Sequence, residues 1–134
     1  MREIGYQSWS LIPIDSDPES EEPTITRPPM LTAVVLDKHA SLFFQFSAPL
    51  GNIQITFETT ALSGEERSLE IFRTYSGPSI SPLKEIPHSG WEKSIEGMFS
   101  VFSSHSEGVG SFLKLFFTEP APLVVNRVNF YAND

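Results

Sequence analysis

NIQITFET, residues 52–59, has the clearest periodicity in the chain. Ile53, Ile55 and Phe57 lie at alternate positions, and polar residues fill the positions between them. An alternation of this kind is typical of a β-strand with one buried face and one solvated face. The segment therefore predicts a strand whose apolar side faces a core.

Other runs on both sides of this strand share β-branched or aromatic residues and end at turn-forming residues. They are LTAVVLD (31–37), SLFFQFS (41–47), LEIFRTY (69–75), IEGMFSVF (95–102), SFLKLFF (111–117) and LVVNRVNFY (123–131). The turn at residues 48–51 predicts a hairpin between 41–47 and 52–59, and SFLKLFF, apolar on both faces, predicts a central strand. Only SGEERSLE (63–70) suggests a helical turn. The pattern predicts an all-β sandwich.

The N-terminal part of the chain differs in composition from the rest. Residues 1–12 predict an edge strand, and IGYQSW could pair beside the last strand. Residues 13–29 are acidic and contain five prolines, which is typical of an extended linker or surface loop. We therefore expect an N-terminal strand and linker over 1–29 and a β-sandwich domain over 30–134.

Composition limits the possible functions. The 134 residues include no cysteine, which excludes disulfides, thiolate metal sites and cysteine nucleophiles. The formal charge is −8 and the nine basic residues are scattered, so no nucleic acid partner is expected. No apolar run reaches membrane length, and no apolar signal-like stretch follows Met1. We expect no membrane partner, and either a cytoplasmic chain or a mature domain whose export signal was removed.

No motif for catalysis is present. The chain has no G-x-S-x-G, H-E-x-x-H or P-loop sequence, and His39, His88 and His105 are widely spaced. Asp15, Asp17 and Glu19 have the alternate spacing of a calcium loop, but the glycine and the closing glutamate of that loop are missing. We therefore expect a non-catalytic domain without a metal site.

Aromatic and amide side chains near turns indicate a different function. Sugar rings stack on tryptophan and tyrosine, and amides bind their hydroxyls. Trp91 follows the turn PHSG (87–90), Tyr75 ends a strand, and Asn129 lies in the last strand. Tyr6, Trp9 and Tyr131 are further aromatic candidates. For each aromatic residue, packing in the core is the alternative interpretation.

Residues 48–131 resemble the family six carbohydrate-binding modules. The resemblance is carried by GPSI (77–80), IPHSGW (86–91), GVGSFLKLFFT (108–118) and VVNRVNF (124–130). It implies a galactose-binding-domain-like jelly roll, extracellular or secreted, that targets an associated glycoside hydrolase to a polysaccharide or oligosaccharide. The candidate ligand-binding residues are Trp91, Tyr75, His88, Asn126 and Asn129.

Some positions depart from the family pattern. The asparagine that the family places near its last strand falls on Val124, and the family tryptophan falls on Trp91 or Ser94. Tyr6, Trp9 and His39 are candidates for the second stacking residue. The opening Glu-rich strand of the family is not recognisable, which argues against the structural calcium of the family. That calcium is retained as an alternative, and no other cofactor is expected.

Two other functions remain open. Val124 and Ser94 favour a structural or protein-interaction sandwich that has lost the sugar site. The glutamates favour, more weakly, a small glycosidase or lyase, which would need two facing carboxylates. Residues 28–59 also resemble the opening of small secreted immunoglobulin-like domains from gut bacteria.

Overall fold

The computed structural model describes residues 2–14, 31, 33–60, 70–80 and 82–132. These residues form eleven strands and no helix. The strands are β1 (Arg2–Ile4), β2 (Ser8–Ile12), β3 (Val34–Leu36), β4 (Ser41–Gln45), β5 (Gly51–Thr60), β6 (Phe72–Gly77), β7 (Lys84–Glu85), β8 (Glu92–Glu96), β9 (Phe99–Val109), β10 (Phe112–Phe117) and β11 (Leu123–Ala132). Within this part of the chain, no helix has the length and apolarity needed to cross a membrane.

The strands form two antiparallel sheets that pack face to face. The first sheet has the order β1-β11-β5-β9-β8, with β3 also paired to β11, and the second has the order β2-β4-β10-β6-β7. A sheet with one apolar face must bury it, and two such sheets bury each other. The predicted all-β sandwich is confirmed.

The core follows from the alternation in β5. Ile53, Ile55 and Phe57 are at most 1% exposed, and the polar residues between them are partly exposed. The Phe57 ring stacks on Phe102 of β9 at 5.1 Å between ring centroids. Burial of each such side chain contributes roughly 1.5–3 kcal/mol, so this row alone stabilises the sandwich substantially.

The predicted hairpin between 41–47 and 52–59 is wrong. β4 pairs with β2 and β10, whereas β5 pairs with β9 and β11. Residues 46–50 instead cross from one sheet to the other, beside the β9–β10 connection. Two backbone bonds join these connections, from Phe46 N–H to the Ser111 carbonyl and from Leu50 N–H to the Val109 carbonyl. A sheet crossing uses the same turn residues as a hairpin, so the local sequence did not distinguish them.

The single strand predicted over residues 95–102 is also wrong. Gly97 and Met98 form a two-residue turn between β8 and β9, in which Glu96 pairs with Phe99. Gly97 has a φ of 62° and Met98 has no positive φ, which matches a type II′ turn with glycine first. β9 then continues to Val109, so His105 lies within a strand rather than in a turn.

The predicted central strand at 111–117 is confirmed. β10 lies between β4 and β6, and Leu113, Leu115 and Phe117 are fully buried in the core. On the opposite face, Lys114 and Phe116 are also buried, at 1% and 7% exposed. Both faces of β10 are therefore shielded from water, as its apolar composition predicted.

The N-terminal segment forms two strands rather than one. β1 pairs with the last strand, β11, but Ile4 is the only residue of IGYQSW in that pairing, so most of this segment does not lie where it was expected. β2 pairs with β4 in the other sheet. The proline-rich residues 15–29 and the helical turn predicted at 63–70 lie outside the described residues, apart from Glu70.

Candidate functional site

A β-bulge in β11 creates the most distinctive polar feature of the first sheet. The pairing of β11 with β5 shifts between Val125 and Arg127, which leaves Asn126 as an extra residue. Val125 and Val128 are both buried, so Asn126 and Arg127 between them both lie on the outer side of the sheet. Bulges re-aim side chains in this way and are frequent beside binding sites.

Two asparagine amides on this strand are held by neighbouring strands. The Nδ2 of Asn126 donates to Oγ1 of Thr60 at 3.0 Å, and the Nδ2 of Asn129 donates to Oε2 of Glu3 at 2.9 Å. Neither amide carbonyl oxygen accepts a hydrogen bond from a described side chain. Each amide is therefore oriented through its nitrogen and keeps an oxygen for an external donor.

Tyr6 lies between this strand and the core. Its ring makes edge contacts with Phe44 at 5.1 Å and Phe130 at 5.9 Å, and the Leu31 amide donates to its hydroxyl oxygen at 2.8 Å. Burial raises the pKa of the Tyr6 phenol, with a smaller upward effect from the Glu3 carboxylate and an opposing effect from the Leu31 amide. Tyr6 is thus neutral at physiological pH and fixed in position.

These side chains surround a cavity of about 570 Å³. This volume lies within the range typical of small-molecule sites. Among the described residues, its polar lining comes from Glu3, Tyr6, Asn126, Arg127, Asn129 and Tyr131, and its apolar lining includes Ile4, Leu31 and Val128. We call it the β11 cavity.

The described lining of the β11 cavity combines hydrogen-bonding and aromatic groups. It contains a guanidinium donor, two amide carbonyl acceptors, two phenol rings and one carboxylate among the described lining residues. A glycosidase needs two carboxylates that face each other across the bond to be cleaved. Glu3 has no such counterpart among those residues, so the described lining offers hydrogen bonds rather than an acid–base pair.

The structure places the five predicted site residues in three different regions. Asn126 and Asn129 line the β11 cavity together. Trp91 is 1% exposed, makes an edge contact with Phe57, and donates from Nε1 to the Phe72 carbonyl at 3.2 Å. The packing alternative therefore describes Trp91, whose ring fills the core between the sheets.

His88 and Tyr75 also lie away from the cavity. Nδ1 of His88 is 2.7 Å from the Ser89 carbonyl, and the backbone of His88 bridges to Ser106 of β9. Tyr75 is 4% exposed and packs edge-on against Phe116 on the second sheet. Residues 86–91 lead from β7 in one sheet to β8 in the other, so the turn-like run before Trp91 closes one side of the sandwich.

The three candidates for the second stacking residue lie in different places. Tyr6 lines the cavity, Trp9 is 5% exposed in the core, and His39 stacks on Phe116. Val124, the position of the family asparagine, pairs with Val35 of β3. Ser94 is exposed on β8.

Sequence reasoning missed Glu3 and Arg127 as members of this site. The signal for Arg127 is the spacing of Val125 and Val128, which are three residues apart in a strand that otherwise alternates by two. That spacing marks the bulge. Glu3 gave no local signal, because it reaches the site only through the pairing of β1 with β11.

The described residues contain no group of three or more histidine, aspartate or glutamate side chains placed to hold a metal ion. The calcium-like spacing at Asp15, Asp17 and Glu19 lies outside the described ranges. Comparison of the chain with protein-family models, with curated proteins and with solved structures finds no match.

Proposed function

We propose that this domain is a non-catalytic carbohydrate-binding module and that the β11 cavity is its sugar site. One observation supports this proposal more than any other. A bulge in β11 presents Asn126 and Arg127 side by side, next to Asn129 and two tyrosines, around a cavity of about 570 Å³.

The cavity offers the contacts that a sugar ring requires. Sugar hydroxyls need both donors and acceptors, which the Arg127 guanidinium and the two oriented amide oxygens provide. The partly exposed ring of Tyr131 provides a surface for the apolar C–H face of a pyranose. Because each hydroxyl must lose water before it is bound, we expect modest affinity at a single site.

The wider role follows from the sequence resemblance. A module of this kind keeps a linked glycoside hydrolase close to its polysaccharide, in the extracellular space. The catalytic domain would belong to the same parent protein.

The alternative is a structural or protein-interaction sandwich. It is favoured by the burial of Trp91 and Tyr75, the two aromatic residues with the sequence context of sugar stackers, at 1% and 4% exposed. Under this alternative the β11 cavity is a surface cleft that binds no sugar.

Native affinity electrophoresis tests the proposal. The protein is run through gels that contain xylan, mixed-linkage β-glucan, laminarin, galactan or agarose. We expect retardation in one gel, and loss of that retardation in the variants Asn126→Ala and Asn129→Ala. Asn52→Ala is the matched control, because Asn52 is exposed on β5 and does not line the cavity. Unchanged mobility in every gel would favour the structural alternative.

A further inference from the structure

The edge of the first sheet opposite the β11 cavity has an unusual surface. All five residues of β8 are exposed. Ile95 is 72% exposed, and Met98 in the following turn is 79% exposed. The hairpin of β8 and β9 therefore extends beyond the cover of the second sheet and presents apolar side chains to water.

β8 also has an unpaired side. Within the described residues it pairs with β9 alone and ends the strand order of its sheet. The outer N–H and C=O groups of such an edge are available to an added strand, which is a common mode of peptide recognition. The other terminal strand on that side of the molecule, β7, has only two residues, so β8 is the longer edge.

Alternation along β8 fixes which side chains an added strand would meet. The ammonium group of Lys93 lies 6.0 Å from the centroid of the core ring Phe102, so Lys93 and Ile95 are on the inner side. Glu92, Ser94 and Glu96 are then on the outer side. A complementary strand needs basic residues opposite the two glutamates and an apolar residue opposite Ile95.

The charges disfavour two other occupants. An antiparallel pairing of two β8 strands centred on Ser94 would place Glu92 of each copy opposite Glu96 of the other. Like charges that lie directly opposite destabilise a strand pair, and the net charge of −8 adds to the repulsion. The same glutamates flank Ile95 and Met98, so an anionic membrane surface would be repelled as well.

We propose that β8 accepts an extended segment of a partner protein, in which basic residues alternate with apolar or β-branched residues. Main-chain hydrogen bonds would provide the affinity, and Glu92 and Glu96 would select the partner. This surface lies at the opposite edge of the sheet from β1 and β11 and does not depend on sugar binding.

The test uses a capped peptide with the central sequence Lys-Val-Thr-Val-Lys and the whole chain labelled for NMR. We expect saturable shifts in residues 92–96 and slower hydrogen exchange of the β8 amides that point away from β9. The matched peptide Glu-Val-Thr-Val-Glu should bind at least threefold more weakly, because it places acids opposite acids. Absence of binding at millimolar peptide would overturn the proposal.

A charge reversal in the protein separates strand addition from simple attraction to an acidic surface. Glu92→Lys with Glu96→Lys should weaken binding of the basic peptide roughly threefold to tenfold and reverse the preference between the peptides. Glu85→Lys with Glu107→Lys changes the net charge equally at exposed positions outside β8 and should have a much smaller effect. Equal effects of the two pairs, or shifts without exchange protection in β8, would contradict strand addition. Binding of the chain to neutral lipid vesicles through Met98 would contradict it too.

Discussion

The turn before Trp91 and the bulge in β11 both interrupt regular strand pairing, with opposite results. The first lets the chain cross between the sheets and turns an indole into the core, where its Nε1 finds the Phe72 carbonyl. The second inserts one residue into an otherwise regular strand and turns Asn126 and Arg127 outward together. The turn before Trp91 therefore adds a side chain to the core, and the bulge in β11 adds polar side chains to the lining of the β11 cavity.

This difference follows from the chemistry of the side chains. An indole gains most by burial and needs only one hydrogen-bond acceptor, so an interior position satisfies it. An amide has two donors and an acceptor, and burial without all partners costs free energy. In this sandwich Trp91, the stacking residue expected from that turn, is buried in the core, and the side chains of the proposed sugar site lie on a strand.

The largest expected effect is on folding. Trp91→Ala should lower the free energy of unfolding by roughly 3–5 kcal/mol, because it leaves a cavity among packed aromatic rings. Urea denaturation measures this loss. Trp91→Phe is the control and should cost less, since it keeps a six-membered aromatic ring in the core although it loses the Nε1 donor to the Phe72 carbonyl. If Trp91→Ala left the stability unchanged but abolished retardation in sugar gels, the contrast between the two regions would be wrong.

The fold class could be predicted from the sequence more completely than the pairing of the strands. The alternation in β5 and the apolar faces of β10 were sufficient for a sandwich with the correct central strand. The hairpin at 48–51 and the strand at 95–102 were wrong, because a turn specifies a change of direction but not the sheet that the next strand joins. That choice depends on contacts between residues distant in sequence, such as Leu50 with Val109.

The residues of the candidate site were predictable only in part, for a related reason. Asn126 and Asn129 were candidates because they lie in the run VVNRVNF that carries the resemblance, and one cavity contains both. Trp91, Tyr75 and His88 had suitable residue types near turns, but burial depends on which side of the sandwich a turn closes. Glu3 reaches Asn129 across more than a hundred residues of sequence, and nothing local to either residue indicates that contact.

The second largest effect is expected at Tyr6. Tyr6→Phe removes the oxygen that accepts the Leu31 amide hydrogen, and Leu31 is 2% exposed. A buried donor without a partner costs about 1–2 kcal/mol, which thermal or urea unfolding would detect. Tyr131→Phe is the control and should stay within about 0.5 kcal/mol, since that phenol is partly exposed. Equal losses in the two variants would show that the bond from the Leu31 amide to Tyr6 does not stabilise the fold.

A smaller effect is expected at alkaline pH. The pKa of Tyr6 is raised in the folded chain above its ordinary value of about 10, chiefly by burial. The folded state then holds its proton more tightly than the unfolded state, so the contribution of Tyr6 is complete below pH 10 and is lost as the pH rises further. Unfolding measured from pH 8 to 11.5 should show a shallower decline for Tyr6→Phe than for the native chain. Parallel declines would refute the raised pKa.

The smallest effect on stability should accompany the largest effect on binding. Asn129→Ala removes a bond to Glu3 at the partly exposed edge of the sheet and should change the free energy of unfolding by about 0.5 kcal/mol or less. The same change would leave a bound sugar hydroxyl without its acceptor, which corresponds to a loss of about tenfold in affinity. Urea denaturation measures the change in stability. Calorimetric titration with the polysaccharide whose gel retards the protein measures the change in affinity, and Asn52→Ala is the control in both. A variant that unfolds readily yet binds normally would mean that Asn129 joins β1 to β11 and contributes nothing to a sugar site.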